Sequence, residues 1–186
     1  MTTNETVLRR FFLTGPPGVG KTTLMFKIND RFKQLGLMVS GILTEEVRTD
    51  GVRTGFKIRN LASGEEGWLA RTTLQEGPRI GNYRVYTQDL EKIGAMSLEN
   101  AARGESPLVL IDEVGPMEMT NAFFRRALKE VLMGHKTIVA SVKYGSRYAE
   151  IEEASQLPTA RTMTMSPENR DQLLPELISM IDKSLI

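Results

Sequence analysis

The chain has 186 residues, of which 24 are Lys or Arg and 23 are Asp or Glu, so its formal net charge is +1 with the single histidine neutral. This balance excludes a protein that binds polyanions through bulk positive charge, and it excludes an acidic disordered tail. The absence of cysteine excludes disulfides, thiolate metal sites and a cysteine nucleophile. No apolar run approaches the roughly 20 residues of a membrane span, and no secretory signal pattern opens the chain. We expect one globular domain over residues 1–186, located in the cytoplasm.

The N-terminal part of the chain predicts a strand, a glycine-rich loop, a helix and a second strand. Residues 9–14 form a short apolar block that is typical of a buried strand. A helix is predicted over 21–35, because apolar residues recur there at helical spacing and Gly36 provides a stop. Residues 37–43 predict the next strand. This order indicates the start of a parallel sheet that is covered by helices.

From residue 44 to residue 86 the pattern changes to short apolar runs separated by turn pairs. Asp50-Gly51 and Ser63-Gly64 are two of these pairs. We interpret the stretch as an antiparallel excursion of two or three β-hairpins. Because about 40 residues of hairpins bury too little surface to fold alone, the excursion should lie against the main sheet.

The C-terminal half returns to alternating strands and helices. The predicted elements are helices over 87–103 and 121–133 and strands over 108–111, 137–142 and 162–165. The helix over 121–133 has the clearest pattern, and its predicted inward face consists of Phe123, Phe124, Ala127, Leu128, Val131 and Leu132. A last helix is predicted to begin with Ser166 as its N-cap and Pro167 in its first turn. Pro175 is predicted to break that helix into two pieces.

The loop after the first strand carries a phosphate-binding pattern. Residues 15–22 match G-x-x-x-x-G-K-[ST] at every fixed position. Glycines let backbone N–H groups curl around a phosphate, and the following helix N-terminus adds partial positive charge. Lys21 is expected to reach the β- and γ-phosphates and so to act in catalysis, and Thr22 is expected to bind Mg²⁺. The predicted phosphate-binding residues are Gly15, Pro16, Pro17, Gly18, Val19, Gly20, Lys21, Thr22 and Thr23.

A second motif joins four apolar residues to two carboxylates over residues 108–113. A buried strand that ends in carboxylates places them beside the phosphate loop, at the sheet edge where open α/β proteins bind ligands. Asp112 is the predicted Mg²⁺ partner, either directly or through a water molecule. Glu113 is the predicted general base that polarises a water for attack on the γ-phosphate. An adjacent Asp-Glu pair is typical of hydrolytic phosphate-loop proteins whose sheet has an added strand.

Arginines and one serine are candidates for completing the site. An arginine from a mobile element can neutralise the charge that builds on the γ-phosphate oxygens. Arg48 and Arg71 are predicted to act in this way, because the hairpin excursion could fold over the site. Arg170 is better placed for the base or ribose, together with the adjacent Asn169. Ser141, at a strand end, is a candidate γ-phosphate sensor.

Six segments carry a resemblance that goes beyond these motifs. They are Gly15–Thr22, Gly41–Arg48, Gly55-Phe56, Leu69–Arg71, Leu108–Glu118 and Pro167–Asp171. In this order they resemble the small nucleoside-triphosphatase family first known from thermophiles, which includes the human cancer-related nucleoside-triphosphatase. The resemblance covers about residues 9 to 183 of the chain.

The resemblance implies hydrolysis of several nucleoside triphosphates, including ATP and GTP, to the diphosphate and phosphate, with broad base tolerance. With the motifs above, it predicts a Mg²⁺-dependent enzyme. It implies that a second nucleotide-binding segment consists of Leu108, Val109, Leu110, Ile111, Asp112, Glu113, Val114 and Gly115. The implied α/β fold is a three-layer sandwich with a mostly parallel, RecA-like sheet that has an added strand and carries the antiparallel hairpin excursion.

Two other classes of function also fit the motifs. A small nucleoside or nucleotide kinase would use the excursion as an acceptor lid and Arg147 and Arg161 at a second phosphate site. A nucleotide-dependent regulatory switch is the other class, although residues 169–172 lack the guanine-specific Asn-Lys-x-Asp motif. Nucleoside triphosphates are the expected ligands. Neither a membrane nor a nucleic acid is an expected partner, and the sequence does not specify a protein partner.

Overall fold

The computed structural model describes residues 6–186, which form a nine-stranded mixed sheet flanked by helices. The strands are β1 Arg10–Thr14, β2 Val39–Thr49, β3 Val52–Asn60, β4 Glu66–Arg71, β5 Arg79–Ile80, β6 Tyr83–Val85, β7 Leu108–Val114, β8 Thr137–Val142 and β9 Ala160–Thr164. The α-helices are α1 Lys21–Gln34, α2 Thr87–Asp89, α3 Met96–Arg103, α4 Ala122–Met133, α5 Ala149–Ser155 and α6 Arg170–Ser184. A π-helical segment, Leu90–Ala95, joins α2 to α3, and a 3₁₀ turn spans Glu118–Thr120.

The strand order is β5-β6-β4-β3-β2-β7-β8-β1-β9. The strands from β2 to β9 in this order pair in parallel, so their carboxyl ends meet at one edge of the sheet. Strand β8 lies between β1, which leads into the phosphate loop, and β7, which carries the two carboxylates. This inserted strand is the added strand of the predicted RecA-like sheet. The predicted fold class is therefore confirmed.

The hairpin excursion continues the sheet instead of packing on it, so the expectation that it lies against the main sheet is wrong. Strand β2 pairs in parallel with β7 over its first half and antiparallel with β3 along most of its length. Strands β3, β4, β6 and β5 then extend the sheet in antiparallel fashion. One face of this extension packs against the π-helical segment, which supplies the apolar cover that the hairpins could not provide alone.

Two apolar clusters occupy the two faces of the sheet. Helices α1 and α6 contribute to one cluster, and α3, α4 and α5 contribute to the other. Phe124 is fully buried on α4, as predicted. Phe123 is 52% exposed, so its predicted inward position is wrong. Successive residues of a helix are rotated by about 100°. Phe123 therefore points away from the apolar stripe that contains Phe124, and it lies under the guanidinium of Arg126.

The last helix differs from its prediction in two ways. Helix α6 begins at Arg170, because residues 166–169 form a turn in which the Arg170 N–H donates to the Ser166 carbonyl at 3.1 Å. It then continues without a break through Pro175. The proline removes the hydrogen bond to the Asp171 carbonyl, in the exposed first turn where water can replace it. Leu177, two residues after Pro175, remains fully buried and holds the helix against the sheet.

None of the helices within residues 6–186 combines the length and apolar character needed to cross a membrane. The fold instead concentrates its apolar residues in the two clusters that sandwich the sheet. This arrangement leaves the carboxyl edge of the parallel strands open to a ligand.

The close approach of β2 to β7 at Gly41 gives a stability prediction. A Cβ on Gly41, whose φ is +104°, would lie 2.0 Å from the Leu110 carbonyl oxygen. Gly41→Ala should therefore lower the free energy of unfolding by about 3 kcal/mol, from the backbone clash and the left-handed φ together. Gly51→Ala is the matched control, because Gly51 has φ +78° with no heavy atom within 4 Å. This control should lower the free energy of unfolding by about 1 kcal/mol. Urea unfolding followed by circular dichroism measures the free energy in both variants. Equal losses in the two variants would contradict the clash.

Candidate active site

The phosphate loop connects β1 to α1 and passes against the end of β9. The Met165 N–H donates to the Thr14 carbonyl at 2.7 Å, which holds the two segments together. A Cβ on Gly15 would lie 2.3 Å from the Met165 carbonyl oxygen, so only glycine fits. Gly20 has a left-handed conformation immediately before α1. The loop thus turns back toward the N-terminus of α1, where unpaired backbone N–H groups favour an anion.

The side chain of Lys21 folds over this loop. Its Nζ donates to the Gly15 carbonyl at 2.8 Å and to the Pro16 carbonyl at 3.2 Å. Burial lowers the pKa of Lys21, while the charges of Glu113 and then Asp112 act in the opposite direction. The ammonium therefore lies in the field of both carboxylates. The structure brings the phosphate loop and the second motif into one site, as predicted from their separate positions in the sequence.

Asp112 is fully buried and is held by hydroxyl groups from the neighbouring elements. Ser141 at the end of β8 donates to its Oδ1 at 2.7 Å, and Thr44 of β2 donates to its Oδ2 at 3.4 Å. Burial raises the pKa of Asp112 to about 6, although hydrogen bonds from Ser141 and Thr22 favour the ionised form. Its hydrogen-bond partners are hydroxyls and not basic side chains. A carboxylate beside the Thr22 hydroxyl is an oxygen donor set that fits Mg²⁺.

Ser141 has a different position from the one that a phosphate sensor requires. It is buried, and its hydroxyl is used by Asp112. Residues 108–111 of the second motif are also fully buried within the sheet, so they carry Asp112 to the edge and do not line the ligand cleft. These residues therefore support the site by forming the strand that positions Asp112. Val114 is buried in the same way, and its carbonyl accepts a hydrogen bond from the Lys143 N–H at 3.1 Å.

A third carboxyl group, Glu118, lies in the same corner as Glu113. An ideal Cβ on Gly115 would be 3.1 Å from Glu118 Oε2 and 3.2 Å from Glu113 Oε1, so both side chains approach the same point beside Gly115. The Gly115 N–H donates to Glu118 Oε2 at 3.1 Å. Glu118 is only 3% exposed, and burial raises its pKa to about 8, with the charges of Glu113 and Asp112 adding to the shift. The sequence motifs gave this residue no role, although it ends the Leu108–Glu118 segment that carries the family resemblance.

A cleft opens beside the phosphate loop on the side of α6. Gly18, Met165, Arg170 and Leu174 are among the residues that line it. Arg170 therefore lines a cleft that adjoins the phosphate loop, and its role toward a base or ribose stays a prediction. The Asn169 side chain accepts from the Ser166 N–H and donates to the Thr164 carbonyl, both at 2.8 Å. It holds the turn that positions Arg170.

The two predicted catalytic arginines are engaged within the hairpin extension. Arg48 lies at the tip of the β2–β3 hairpin, where it pairs with Glu46 and donates to the Gly51 carbonyl at 2.8 Å. Arg71 lies over the ring of Trp68, with its guanidinium carbon 4.2 Å from the ring centroid. Either side chain would have to leave these contacts to reach a γ-phosphate, so their catalytic role stays a prediction.

The arginines that a kinase would need are apart from each other. Arg161 pairs with Glu176 at 2.9 Å on the outer face of β9. Arg147 follows β8, with its side chain 89% exposed and 4.0 Å from Glu152. The structure does not bring them together into a second phosphate site within residues 6–186.

The buried carboxyl of Glu118 predicts how stability depends on pH. Its folded-state pKa of about 8 exceeds the ordinary 4.5, so the native state holds the proton more tightly. The free energy of unfolding should therefore fall as pH rises from about 4.5 to about 8. Glu118→Gln removes this titration, and it should raise the free energy of unfolding at the alkaline end by about 2 kcal/mol or more.

This prediction is measured by urea unfolding at a series of pH values. Glu153→Gln is the control, because Glu153 is a surface residue that pairs with Lys129. It should leave the pH slope unchanged. The same slope in the wild-type protein and in the Glu118 variant would contradict the raised pKa.

Comparison with known proteins identifies the family to which this chain is similar. A family model described as NTPase matches residues 10–178. A nucleoside-triphosphatase THEP1 from Thermotoga sp. (strain RQ2) is 40% identical over 172 residues, which cover 92% of this chain and 95% of that relative. The cancer-related nucleoside-triphosphatase of Homo sapiens is 36% identical over 187 residues, covering 95% of this chain and 98% of the human protein.

A solved structure is similar over nearly the whole chain. The crystal structure of THEP1 from the hyperthermophile Aquifex aeolicus has a TM-score of 0.80 at 31% identity, and the match covers 93% of this chain and 99% of that one. The family predicted from the six sequence segments is confirmed by these matches. With a phosphate loop, a carboxylate pair and an added strand in one site, the chain belongs to the nucleoside-triphosphatase family of the THEP1 proteins and the human cancer-related enzyme.

Proposed function

We propose that the protein is a Mg²⁺-dependent nucleoside-triphosphatase that hydrolyses ATP, GTP and other nucleoside triphosphates to the diphosphate and phosphate in the cytoplasm. The main support is the convergence of Lys21, Asp112 and Glu113 at the carboxyl edge of the sheet. The names of the relatives, which are nucleoside-triphosphatases, support the same reaction.

In this proposal the phosphate loop binds and orients the triphosphate. Lys21 exchanges its hydrogen bonds to the Gly15 and Pro16 carbonyls for bonds to the β- and γ-phosphate oxygens. Thr22 and Asp112 are the residues that would hold Mg²⁺, which neutralises phosphate charge when bound. The Ser141 hydroxyl keeps the Asp112 carboxylate oriented and favours its ionised form.

Glu113 supplies the general base. Its carboxylate is only partly buried, whereas the neighbouring Asp112 is fully buried, so Glu113 is the one with access to a water molecule at the site. Glu113 takes a proton from that water as the water oxygen attacks the γ-phosphorus. The bond between the γ-phosphorus and the bridging oxygen breaks, and the diphosphate leaves with the bonding electrons.

The cleft beside the loop supports broad base tolerance. Val19, Met165 and Leu174 give part of the lining an apolar surface that can pack on the face of any base, and Lys27 and Asp171 also line the cleft. Arg170 contributes a guanidinium that can stack or pair with the sugar-phosphate side of any nucleotide. We therefore expect similar KM values for ATP, GTP, CTP and UTP.

Replacement of the proposed base tests the chemistry. Glu113→Gln keeps the size of the side chain but removes its basicity, so kcat should fall by about 10²-fold or more with little change in KM. Steady-state phosphate release measures both constants, and Glu153→Gln is the matched surface control. Turnover at the wild-type rate in the Glu113 variant would assign the base to another residue.

The extension arginines have a separate test. Arg48→Ala or Arg71→Ala should lower kcat by more than about tenfold for at least one of the two, because an arginine that meets the γ-phosphate stabilises developing charge. Arg103→Ala is the control, since Arg103 ends α3 and forms a surface pair with Glu130. Wild-type turnover in both variants would remove the extension from the catalytic machinery.

A further inference from the structure

Glu118 is a buried carboxyl group that the proposed reaction does not yet use. It follows β7 at the start of the 3₁₀ turn and is 3% exposed, close to the fully buried Asp112. No lysine or arginine of residues 6–186 forms an ion pair with it, and the Gly115 N–H is its hydrogen-bond donor from another residue. An unpaired buried carboxyl group destabilises a fold unless it is kept neutral. Its presence beside the candidate base therefore requires an explanation.

The backbone around Gly115 connects Glu118 to Glu113. The Gly115 N–H donates to Glu118 Oε2, and the Gly115 carbonyl accepts from the Met119 N–H, both at 3.1 Å. On the other side, the Val114 carbonyl accepts from the Lys143 N–H at the end of β8. The two residues that directly follow Glu113 are thus fixed from both sides. Of these three hydrogen bonds, only the one to Glu118 Oε2 involves a side chain.

The two carboxyl groups also share the space above Gly115. Each has an oxygen within 3.2 Å of the point where a Cβ would stand, so any side chain at position 115 would displace both. Burial, with the charges of Glu118 and Glu113, raises the pKa of Tyr148, so its phenol lies in the electrostatic field of this corner. The Glu113 side chain therefore lies beside Glu118 and the backbone of its own turn.

We propose that Glu118 is a positioning residue that holds the Glu113 carboxylate in its reactive orientation, by fixing the turn through the Gly115 N–H and by packing its own carboxyl group against Glu113. The proposal rests on the proposed function, in which Glu113 is the general base. A water held by a carboxylate reacts efficiently only when the carboxylate has one orientation, because misplacement of about 1 Å lowers turnover strongly.

A neutral carboxyl group suits this task. Three ionised carboxylates in one corner would repel each other, and burial keeps Glu118 protonated near neutral pH. In that form one oxygen accepts the Gly115 hydrogen bond, and the O–H can donate to a neighbouring carboxylate. An apolar side chain of similar volume would leave the buried Gly115 N–H without an acceptor.

The test compares Glu118→Gln with Glu118→Ala in the full chain. The glutamine keeps a carbonyl acceptor for the Gly115 N–H and a neutral donor, so it should rescue kcat to within about threefold of wild type. The alanine removes both, so kcat should fall by about tenfold or more while KM changes by less than about twofold. Glu118→Met fills the same volume without polar atoms, and it should reproduce the alanine result even if the alanine variant folds poorly.

A double-mutant cycle separates this proposal from the proposed function. Because Glu118 acts through Glu113, the variant with both Glu113→Gln and Glu118→Met should be no slower than Glu113→Gln alone. A further tenfold loss in the double variant would overturn the proposal.

The single variants can also overturn it. A glutamine variant as slow as the methionine variant would do so, because it would require an ionised carboxylate at position 118. A methionine variant with wild-type kcat, or with a change confined to KM, would also overturn it. Full activity of Glu113→Gln by itself would instead overturn the proposed base.

Discussion

The active site depends on one constraint, the burial of a carboxylate at the carboxyl end of β7. Asp112 has no contact with solvent, and it is held there by hydroxyls of Ser141 on β8, Thr44 on β2 and Thr22 on α1. A charge in such a position is costly, and hydroxyl donors offset only part of that cost. The imbalance raises the pKa of Asp112 and leaves a site that a cation would stabilise. The neighbouring strands and α1 are thus arranged around Asp112 as much as around their apolar clusters.

The added strand explains how these groups meet. Because β8 lies between β1 and β7, Ser141 reaches Asp112 from one side while the phosphate loop faces it across the end of β8. Strand β2 borders β7 on the other side and contributes Thr44 before it continues into the hairpin extension. The same long strand therefore supports the Asp112 carboxylate and carries Arg48 near its far end.

Much of this architecture could be predicted from the sequence, because its elements have strong local signals. The phosphate loop is defined by glycines, since a Cβ on Gly15 would clash and Gly18 and Gly20 have positive φ. Strand β7 is defined by an apolar run that ends in two acids. Features that depend on tertiary contacts could not be predicted. Helical periodicity does not reveal that Phe123 points away from the core, and a proline rule does not include the packing of Leu177 that keeps α6 continuous.

The net charge of the sequence likewise does not reveal where charged residues meet in space. A net charge of +1 argues against bulk polyanion binding, but it conceals local clusters of positive charge and of negative charge. Arg71, Arg84 and Arg79 stand opposite one another on three successive strands of the extension. Asp112, Glu113 and Glu118 gather in one corner, and the burial of Glu118 emerges only when the turn after β7 is folded. Neighbours in space decide the chemistry of these groups, and neither composition nor spacing identifies those neighbours.

The central claim is that water, activated at the site of Lys21, Asp112 and Glu113, is the acceptor of the γ-phosphate. It is tested most directly by incubating the protein with a γ-labelled nucleoside triphosphate and Mg²⁺ in ¹⁸O-water, without any other acceptor. The account predicts free phosphate that carries one solvent oxygen per turnover, and it predicts the loss of this product in Asp112→Asn. Turnover that begins only when a nucleoside or nucleotide acceptor is added would contradict it.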